Sequence, residues 1–576
     1  MKKFFLVIIA LLVGLAVGCG STSGTSKVTH PDPQPGDPVN LYGRGADGRN
    51  GVVAAAKPEA SQVGVDILRQ GGNAVDAAVA TGFALGVLEA NATGLGGGGF
   101  MLIKLVNMPE AVVIDFRETA PGAASGEMYM GPDGKVVPNS HIVGGLAVGT
   151  PGEIHGLLYA LDNFGSKKFT RAQLMQPAID YAEKGYRVTE NLSPIILENL
   201  EKINMFPATA DIYTVDGLPP EVGDTIKNPD LGKSLRLIAQ NGPDAFYKGP
   251  MAEAVAKSVQ DAGGILTTDD LANYKIQVRK PVIGTYRGYT IISVPPASSG
   301  GAHVIQILNM LENLDPSVLK FGTDTAVHAW LQAFRLAFAD RGKYMADSDF
   351  VSVPLKGLTD KAYAKTLFAK FDPNKAMASA TADDPTKYES GSTTSFSVMD
   401  KVGNIVTVTK TINYFFGSGV GVPGYGFIMN NEMDDFVPTP GHVQSVEPFK
   451  RPLSSMTPTL VLDPQGRPFM TLGSPGATRI FPTVAQVISN VIDNGMSMQD
   501  AIMAPRCFAT ASGQVHVEGR MPAATIERLK ALGYDVNVRA NWDNYFGGVH
   551  AVLYDHKAKK LFGGADPRRD GQAAAY

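Results

Sequence analysis

The sequence predicts an α+β protein, because long helical patterns come first and clear strand patterns follow. Apolar residues recur at helical spacing in two stretches of residues 57–89, and Asn73 between them suits the N-cap of the second helix. The segment 150–350 is also largely helical. The pattern then alternates, so that Thr394–Asp400 and Ile405–Thr411, joined by a short turn, predict a hairpin.

Composition excludes several classes of protein. The chain has 51 Lys and Arg against 55 Asp and Glu, which gives a net charge of −4 and excludes the basic excess of a nucleic-acid binder. With 44% hydrophobic and 18% charged residues, it has enough apolar material for a core. Its two cysteines, Cys19 and Cys507, cannot build a disulfide framework, and its nine histidines lack zinc-ligand spacing. We therefore expect no structural or catalytic zinc site. We also expect no other metal and no cofactor.

The N-terminal residues have the pattern of an export signal. Lys2 and Lys3 precede an apolar run that ends at Gly18, so residues 1–18 predict a secretory signal peptide. The small residues before Cys19 resemble a bacterial lipobox, which makes Cys19 a candidate lipid anchor and residues 19–48 a flexible tether rich in Ser, Gly and Pro. A plain cleaved signal with an incidental cysteine is the alternative. Either way we expect an extracytoplasmic protein, and the lipobox favours a membrane-anchored lipoprotein in the periplasm or at the cell surface.

Glycine is unusually common, at 64 of 576 residues. Gly94, Gly96 and Gly99 match the letters GxGxxG of a dinucleotide site. The context is wrong for such a site, because a helix precedes the glycines and an apolar strand follows them. The stretch therefore predicts a loop in which the backbone passes close to another part of the protein.

The junction at residues 392–394 offers a nucleophile. A threonine hydroxyl needs a base, and the free α-amino group of the same residue supplies one with a pKa near 7.7–8.0. That requires a cut between Ser392 and Thr393, which the polar, exposed loop 371–392 would allow. Taken alone, two threonines at the start of a strand also fit ordinary β propensity.

A set of ordered motifs resolves this ambiguity, since it closely resembles the γ-glutamyltranspeptidase family. The motifs are Gly94-Leu-Gly-Gly-Gly-Gly-Phe100, Asp115-Phe-Arg-Glu-Thr-Ala-Pro121, Pro295-Pro-Ala-Ser-Ser-Gly-Gly301, Ser392-Thr-Thr-Ser-Phe-Ser, Thr411-Ile-Asn413, Asn430-Asn-Glu-Met-Asp-Asp-Phe436, Lys450-Arg-Pro-Leu-Ser-Ser-Met456 and Gly473-Ser-Pro-Gly-Ala-Thr-Arg479. The resemblance extends from about residue 50 to Asp566-Pro-Arg568.

The resemblance implies the fold of the N-terminal nucleophile hydrolases, a four-layer αββα sandwich. Members are made as precursors that cut themselves into two subunits, which stay together. Here residues 49–392 would form the body of the large subunit and residues 393–576 the small subunit.

The family's catalytic positions carry over residue by residue. Thr393 is then the nucleophile, its own amine is the base, and Thr411 orients the nucleophile. The backbone N–H groups of Gly476 and Ala477 would form the oxyanion hole. Many members have two glycines at this position, so Ala477 is a departure.

The family's substrate-binding positions also carry over. Asn413, Glu432 and Asp435 match the positions that bind the α-amino group of a γ-glutamyl substrate. Arg117, Ser454 and Ser455 match those that bind its α-carboxylate, and a guanidinium suits a carboxylate. Taken one at a time, these residues also fit a surface ion pair, a turn and a solvated loop. The implied partners are glutathione and other γ-glutamyl compounds, with amino acids or dipeptides as acceptors, and no nucleic acid.

Two further departures bear on specificity. Ser395 stands where many bacterial members have histidine, and the segment 437–449 is too short to form the lid found in some relatives. A lidless pocket favours bulky substrates such as poly-γ-glutamate. The alternatives to a glutathione hydrolase are a poly-γ-glutamate depolymerase, a glutaryl or cephalosporin acylase of the same family, and an inactive surface lipoprotein that binds glutamyl compounds.

Overall fold

The structure, a computed structural model of the chain, describes residues 34, 37–38, 40–381 and 393–576. The predicted signal peptide, Cys19 and Ser392 lie outside these residues. The chain divides into two compact units, residues 1–37 and 38–576. In the first unit the described residues form one turn, in which the Gln34 N–H donates to the Asp37 carboxylate. The strands and helices belong to the second unit.

The strands build two large antiparallel sheets. In chain order they are β1 (Ala46–Gly48), β2 (Gly51–Ala55), β3 (Gly98–Lys104), β4 (Val112–Asp115), β5 (Tyr186–Arg187), β6 (Thr225–Ile226), β7 (Gln277–Arg279), β8 (Val282–Tyr286), β9 (Tyr289–Ser293), β10 (Thr394–Asp400), β11 (Ile405–Thr411), β12 (Thr459–Leu462), β13 (Pro468–Gly473), β14 (Cys507–Ala509), β15 (Val515–Glu518), β16 (Val536–Arg539), β17 (His550–Asp555), β18 (Lys560–Ala565) and β19 (Gln572–Ala575). Sheet I has the order β19-β2-β10-β11-β3-β4-β7, and sheet II has the order β1-β18-β17-β13-β12-β9-β8. Smaller sheets join β14-β15-β16 and β5-β6.

The helices lie mainly between these strands in sequence. They are α1 (Pro58–Arg69), α2 (Ala74–Leu88), α3 (Glu153–Phe164), α4 (Arg171–Lys184), α5 (Leu192–Glu198), α6 (Leu200–Asn204), α7 (Pro207–Tyr213), α8 (Pro229–Asn241), α9 (Asp244–Tyr247), α10 (Gly249–Asp261), α11 (Thr268–Asn273), α12 (Gly300–Leu311), α13 (Asp324–Tyr344), α14 (Leu355–Leu358), α15 (Lys361–Phe368), α16 (Ile480–Ile492), α17 (Met498–Met503) and α18 (Ala523–Ala531). Short 3₁₀ turns cover Gly145–Ala147, Pro316–Leu319, Glu432–Asp435, Ala477–Arg479 and Asn544–Phe546.

Three hydrophobic cores separate four layers. One core packs helices α1–α4 and α8–α10 against sheet I, and another packs α12, α13 and α15–α18 against sheet II. The third lies between the two sheets. The strand period of two explains the arrangement, because Val53 faces the helices while its neighbours Val52 and Ala54 face the opposite sheet. The α+β class and the αββα sandwich are both confirmed.

The predicted hairpin lies at the centre of sheet I. Strand β10 pairs with β11 on one side and β2 on the other, and β11 also pairs with β3. Sheet I therefore contains strands from both sides of position 393, with β10 and β11 lying between β2 and β3. Sheet II also contains strands from both sides of position 393, since β9 pairs with β12 and β1 pairs with β18. The two predicted subunits share both sheets and the core between them.

The glycine-rich loop allows close backbone contact. A Cβ at Gly97 would lie 2.1 Å from the Thr411 carbonyl oxygen, and a Cβ at Gly96 would lie 2.2 Å from that of Ile428. The loop joins α2 to β3, which is the helix-then-strand order that argued against a dinucleotide site. Its glycines bring the backbone against the end of the strand that carries Thr411.

Local predictions and the structure agree at the helix ends. Asn73 caps α2 and forms a capping box with Asp76. Helix α13, within the segment 150–350 that was predicted to be largely helical, is capped by Thr323. The tether, predicted to extend to residue 48, meets the folded body earlier, because Leu41 and Arg44 are buried and Ala46–Gly48 pairs with β18.

Over the described residues, no helix combines the length and hydropathy needed to cross a membrane.

Candidate active site

One pocket brings together most of the predicted site residues. Its lining includes Thr393, Thr411, Asn413, Arg117, Asp435, Ser454, Ser455 and Ala477, all of them predicted from the sequence. Gly476 precedes Ala477 in the same loop, and Glu432 contacts the pocket residue Arg117. Four further lining residues were not predicted, namely Arg341, Met456, Thr478 and Ile480.

Thr393 lies at the head of the central hairpin. Its hydroxyl donates to the Thr411 Oγ1 at 3.4 Å, and the Thr411 Oγ1 also accepts from the Asn413 N–H at 2.7 Å. The side-chain amide of Asn413 donates in turn to the Asn431 carbonyl at 3.0 Å. This chain of hydrogen bonds fixes the orientation of the Thr411 hydroxyl beside Thr393.

The predicted oxyanion loop turns sharply into a helix. Gly476 has φ +128° and Ala477 has φ +50°, and the 3₁₀ turn Ala477–Arg479 leads directly into α16. The first N–H groups of a helix have no partner within it, so this loop presents donors at the pocket. Ala477 keeps its N–H but holds a left-handed conformation that costs a residue with a Cβ about 1–2 kcal/mol.

This loop is supported from behind by the segment before β17. The Gly548 N–H donates to the Ser474 Oγ at 3.1 Å, and a Cβ at Gly547 would lie 2.6 Å from the Pro475 carbonyl oxygen. Arg479 donates to the Tyr545 carbonyl at 3.1 Å and stacks on the Tyr545 ring at 4.5 Å.

Arg117 is the electrostatic centre of the site. Its guanidinium is buried and forms ion pairs with Glu432 and Asp435, and Glu118 lies 3.6 Å away. The sequence assigned Arg117 to the substrate carboxylate and Glu432 and Asp435 to the substrate amine. In the structure these two sets of groups are in direct contact with each other.

The cluster contains more acidic than basic groups, and its pKa values reflect this. Burial would lower the pKa of Arg117, but the carboxylates of Glu432, Asp435 and Glu118 outweigh burial and raise it. Burial raises the pKa of Glu118 to about 8, against the attraction of Arg117. Burial also raises the pKa of Glu432 well above its ordinary value. The site therefore has a surplus of carboxyl groups, which suits a cationic ligand.

The Ser454-Ser455 pair is held by the segment 295–299. The Ser454 N–H donates to the Ala297 carbonyl at 2.9 Å, and the Ser454 carbonyl accepts from the Ser299 N–H and hydroxyl, each at 2.8 Å. Gly300 allows this contact, since a Cβ there would lie 1.8 Å from the Thr457 Oγ1. The motif Pro295-Pro-Ala-Ser-Ser-Gly-Gly301 thus positions two pocket serines.

Ser395, the departure from the family pattern, lies two residues beyond Thr393 on β10. Its hydroxyl is 3.2 Å from the His550 Nδ1. Burial lowers the pKa of His550 to about 3, so its ring is neutral at working pH.

Across residues 40–381 and 393–576, no group of three or more His, Cys, Asp or Glu residues is arranged to hold a metal ion.

The four-layer sandwich, with a threonine at the head of a central strand and a pocket around its hydroxyl, defines the class of N-terminal nucleophile hydrolases. A model of the gamma-glutamyltranspeptidase family matches residues 60–576. The chain belongs to this family.

Similar proteins agree with this assignment. A glutathione hydrolase proenzyme of Escherichia coli (strain K12) is 41% identical over 544 residues, covering 92% of each chain. The acylase ACY 1 proenzyme of Pseudomonas sp. (strain SE83) is 42% identical over 536 residues, covering 92% of this chain and 94% of its own. Among solved structures, a cephalosporin acylase from Bacillus halodurans superposes with a TM-score of 0.84 at 28% identity, covering 96% of this chain and 99% of that one.

The raised pKa of Glu118 predicts a change in stability with pH. A carboxyl group that binds its proton more tightly when folded stabilises the protein fully below its unfolded pKa near 4.5, and this stability is lost as pH rises through about 8. Glu118→Gln mimics the protonated group, so its melting temperature should match wild type near pH 5 and exceed it increasingly toward pH 8. The loss in wild type is at most about 1.4 kcal/mol per pH unit.

Thermal melts of both proteins at pH 5, 6, 7 and 8 measure this difference. Glu110→Gln, on an exposed carboxylate, is the matched control and should give a constant difference. If the Glu118→Gln and wild-type curves stay parallel over this range, Glu118 is not protonated in the folded protein.

Proposed function

We propose that the protein is a γ-glutamyltransferase and glutathione hydrolase that uses Thr393 as its nucleophile. The observation that carries this proposal is the single pocket in which the Thr393 hydroxyl, the Arg117–Asp435 ion pair and the Ser454-Ser455 pair meet. A nucleophile and groups for both ends of an α-amino acid thus line the same cavity. Family membership and the curated glutathione hydrolase relatives support the same activity.

The proposed reaction begins with a cut between Ser392 and Thr393, which frees the Thr393 amine to act as a base. The Thr393 Oγ attacks the γ-carbonyl carbon of the substrate, and its proton passes through the amine to the leaving nitrogen. The N–H groups of Gly476 and Ala477 stabilise the negative oxygen of the tetrahedral intermediate. Water, or the amine of an amino acid or dipeptide, then attacks the ester and releases the glutamyl group.

The charges of the pocket favour a substrate with an α-amino group. A glutamyl ammonium ion would bind between Asn413, Glu432 and Asp435, and would replace protons held by the surplus carboxyl groups around Arg117. A glutaryl group lacks the amine and would leave these carboxyl groups without a cationic partner. This favours γ-glutamyl transfer over glutaryl or cephalosporin acylation, although acylases occur among the relatives. An inactive glutamyl-binding lipoprotein is the remaining alternative.

Substitution of Thr393 tests both the cut and the catalysis. Thr393→Ala should remain one chain and lose turnover of a chromogenic γ-glutamyl anilide by about 10⁴-fold or more, because it has no nucleophilic oxygen. Thr393→Ser retains the hydroxyl and should be cut and active. Thr407→Ala, a buried control on β11, should be cut normally.

A denaturing gel with N-terminal sequencing and an anilide assay give the readout. Active wild type should show two fragments, the smaller starting at Thr393. Cutting in Thr393→Ala would disprove the nucleophile, and an uncut, inactive wild type would favour the binding lipoprotein.

We also propose that long γ-glutamyl chains enter this pocket. Among the described residues that line it, none comes from the short segment 437–449, which supports an open entrance. Purified enzyme should release glutamate from the amino end of poly-γ-glutamate with a kcat/KM within about tenfold of that for glutathione. Chromatography of released glutamate measures this, with Thr393→Ala as the blank. Turnover of glutathione without turnover of the polymer would contradict an open pocket.

We further propose that a lipid on Cys19 anchors the enzyme outside the cytoplasm. The signal-like residues 1–18 and the lipobox before Cys19 support this location. In a bacterial host fed a radiolabelled fatty acid, wild type should take up label and sediment with membranes, whereas Cys19→Ser should do neither. Cys507→Ser is the control and should label like wild type. An unlabelled wild-type protein would leave a plain secretory signal as the correct interpretation.

A further inference from the structure

The carboxylate side of the pocket holds a second arginine that the family motifs do not assign. Arg341 lies in the last turn of α13, is buried, and lines the same pocket as Thr393. Its Nε donates to the Ser299 Oγ at 3.0 Å and its Nη2 donates to the Ser455 Oγ at 3.1 Å. It therefore contacts both the predicted carboxylate-binding pair and the segment that supports it.

The electrostatics of Arg117 show why a second cation matters. Three carboxyl groups surround Arg117, and its two terminal nitrogens already bind Glu432 and Asp435 before a substrate enters. An anionic α-carboxylate beside Arg117 would have to share the guanidinium with those groups. Arg341 supplies a second positive charge on the serine side of the pocket.

The hydroxyl oxygens of Ser454 and Ser455 both accept hydrogen bonds. The Ser455 Oγ accepts from Arg341, and the Ser454 Oγ accepts from the Met456 N–H at 3.0 Å. Within the described part of the chain, no acceptor takes the hydroxyl proton of either serine. Both hydroxyls are thus left as donors, and a hydroxyl that accepts a bond from a guanidinium is a stronger donor itself.

We propose that Arg341 is the positioning residue of the carboxylate-binding subsite. It holds the Ser455 hydroxyl as a donor toward the α-carboxylate of the γ-glutamyl group and adds positive charge beside it. Arg341 thereby sets the preference for substrates that carry an α-carboxylate. This inference rests on the proposed γ-glutamyl activity.

The test compares two substrates that differ in one group. γ-Glutamyl p-nitroanilide carries the α-carboxylate, and 4-aminobutanoyl p-nitroanilide is the same acyl chain without it. In Arg341→Gln the ratio of kcat/KM for the first substrate over the second should fall about 10- to 100-fold, mainly through KM. Arg341→Lys keeps the charge and should recover part of the ratio.

Arg335→Gln is the matched control. Arg335 is a buried arginine of the same helix, but it donates to the carbonyls of Thr510 and Gly513 and does not line the pocket. Its substitution should lower stability and leave the substrate ratio unchanged. An equal fall in kcat/KM for both substrates in Arg341→Gln would mean a structural role alone and would overturn the proposal.

Two further variants cover the case in which Arg341→Gln fails to fold. Ser455→Ala removes the group through which Arg341 acts, and Ser299→Ala removes a hydroxyl that accepts a hydrogen bond from Arg341. Both should lower the ratio in the same direction, and an unchanged ratio in both would also overturn the proposal. If processed wild type does not hydrolyse the γ-glutamyl anilide at all, the proposed function fails. If it does and the ratios do not move, the role of Arg341 alone fails.

Discussion

The buried ion pairs of Arg117 are the interaction on which the site depends. The guanidinium comes from the chain just after β4 and its carboxylate partners come from residues 432–435, on the far side of position 393. Burying a charge costs several kcal/mol unless it is paired, and removing one partner from a buried pair costs about 3–5 kcal/mol. Arg117 is anchored in turn, because its N–H donates to Asp115 at 3.0 Å and the Tyr274 hydroxyl donates to its carbonyl at 2.9 Å. The cost of this buried charge thus fixes how the two parts of the chain meet.

A second constraint is the close approach of backbones around the pocket. Gly97 lies against the end of β11, Gly300 against the loop after Ser455, and Gly547 against the loop 474–476. Each contact excludes a side chain at the glycine, and each holds one wall of the pocket against a regular element. The high glycine content of the chain therefore has specific uses at the site. The walls are held by packing, and the Arg117–Asp435 ion pair supplies charged groups to the space between them.

Local patterns predicted much of this structure. Interactions within a few residues determine the cap at Asn73 and the hairpin of β10 and β11. The order of neighbouring elements was enough to show that the glycine loop does not suit a dinucleotide. The resemblance placed distant residues in one site, but local patterns could not predict which of them contact each other directly. The contact between Arg117 and Asp435 joins residues 318 apart, and Arg341 reaches Ser455 from a helix whose pattern only indicates burial. The three residues of β1 fall within the predicted tether, because so short a strand shows no recognisable alternation of apolar and polar residues. Its strand conformation comes from pairing with β18.

Because the two predicted subunits share both sheets, we expect the chain to fold before the proposed cut. Strand β10, which starts beside the proposed cut, is hydrogen-bonded on one side to a strand from the N-terminal segment and leads through β11 to another. Two such segments made as separate polypeptides would each lack neighbours for several strands and would expose unpaired edges to aggregation. A covalent link through position 393 during folding avoids this, because each edge finds its partner within the same molecule. The proposed cut would then turn one folded chain into two subunits that could separate only by breaking the strand pairs they share.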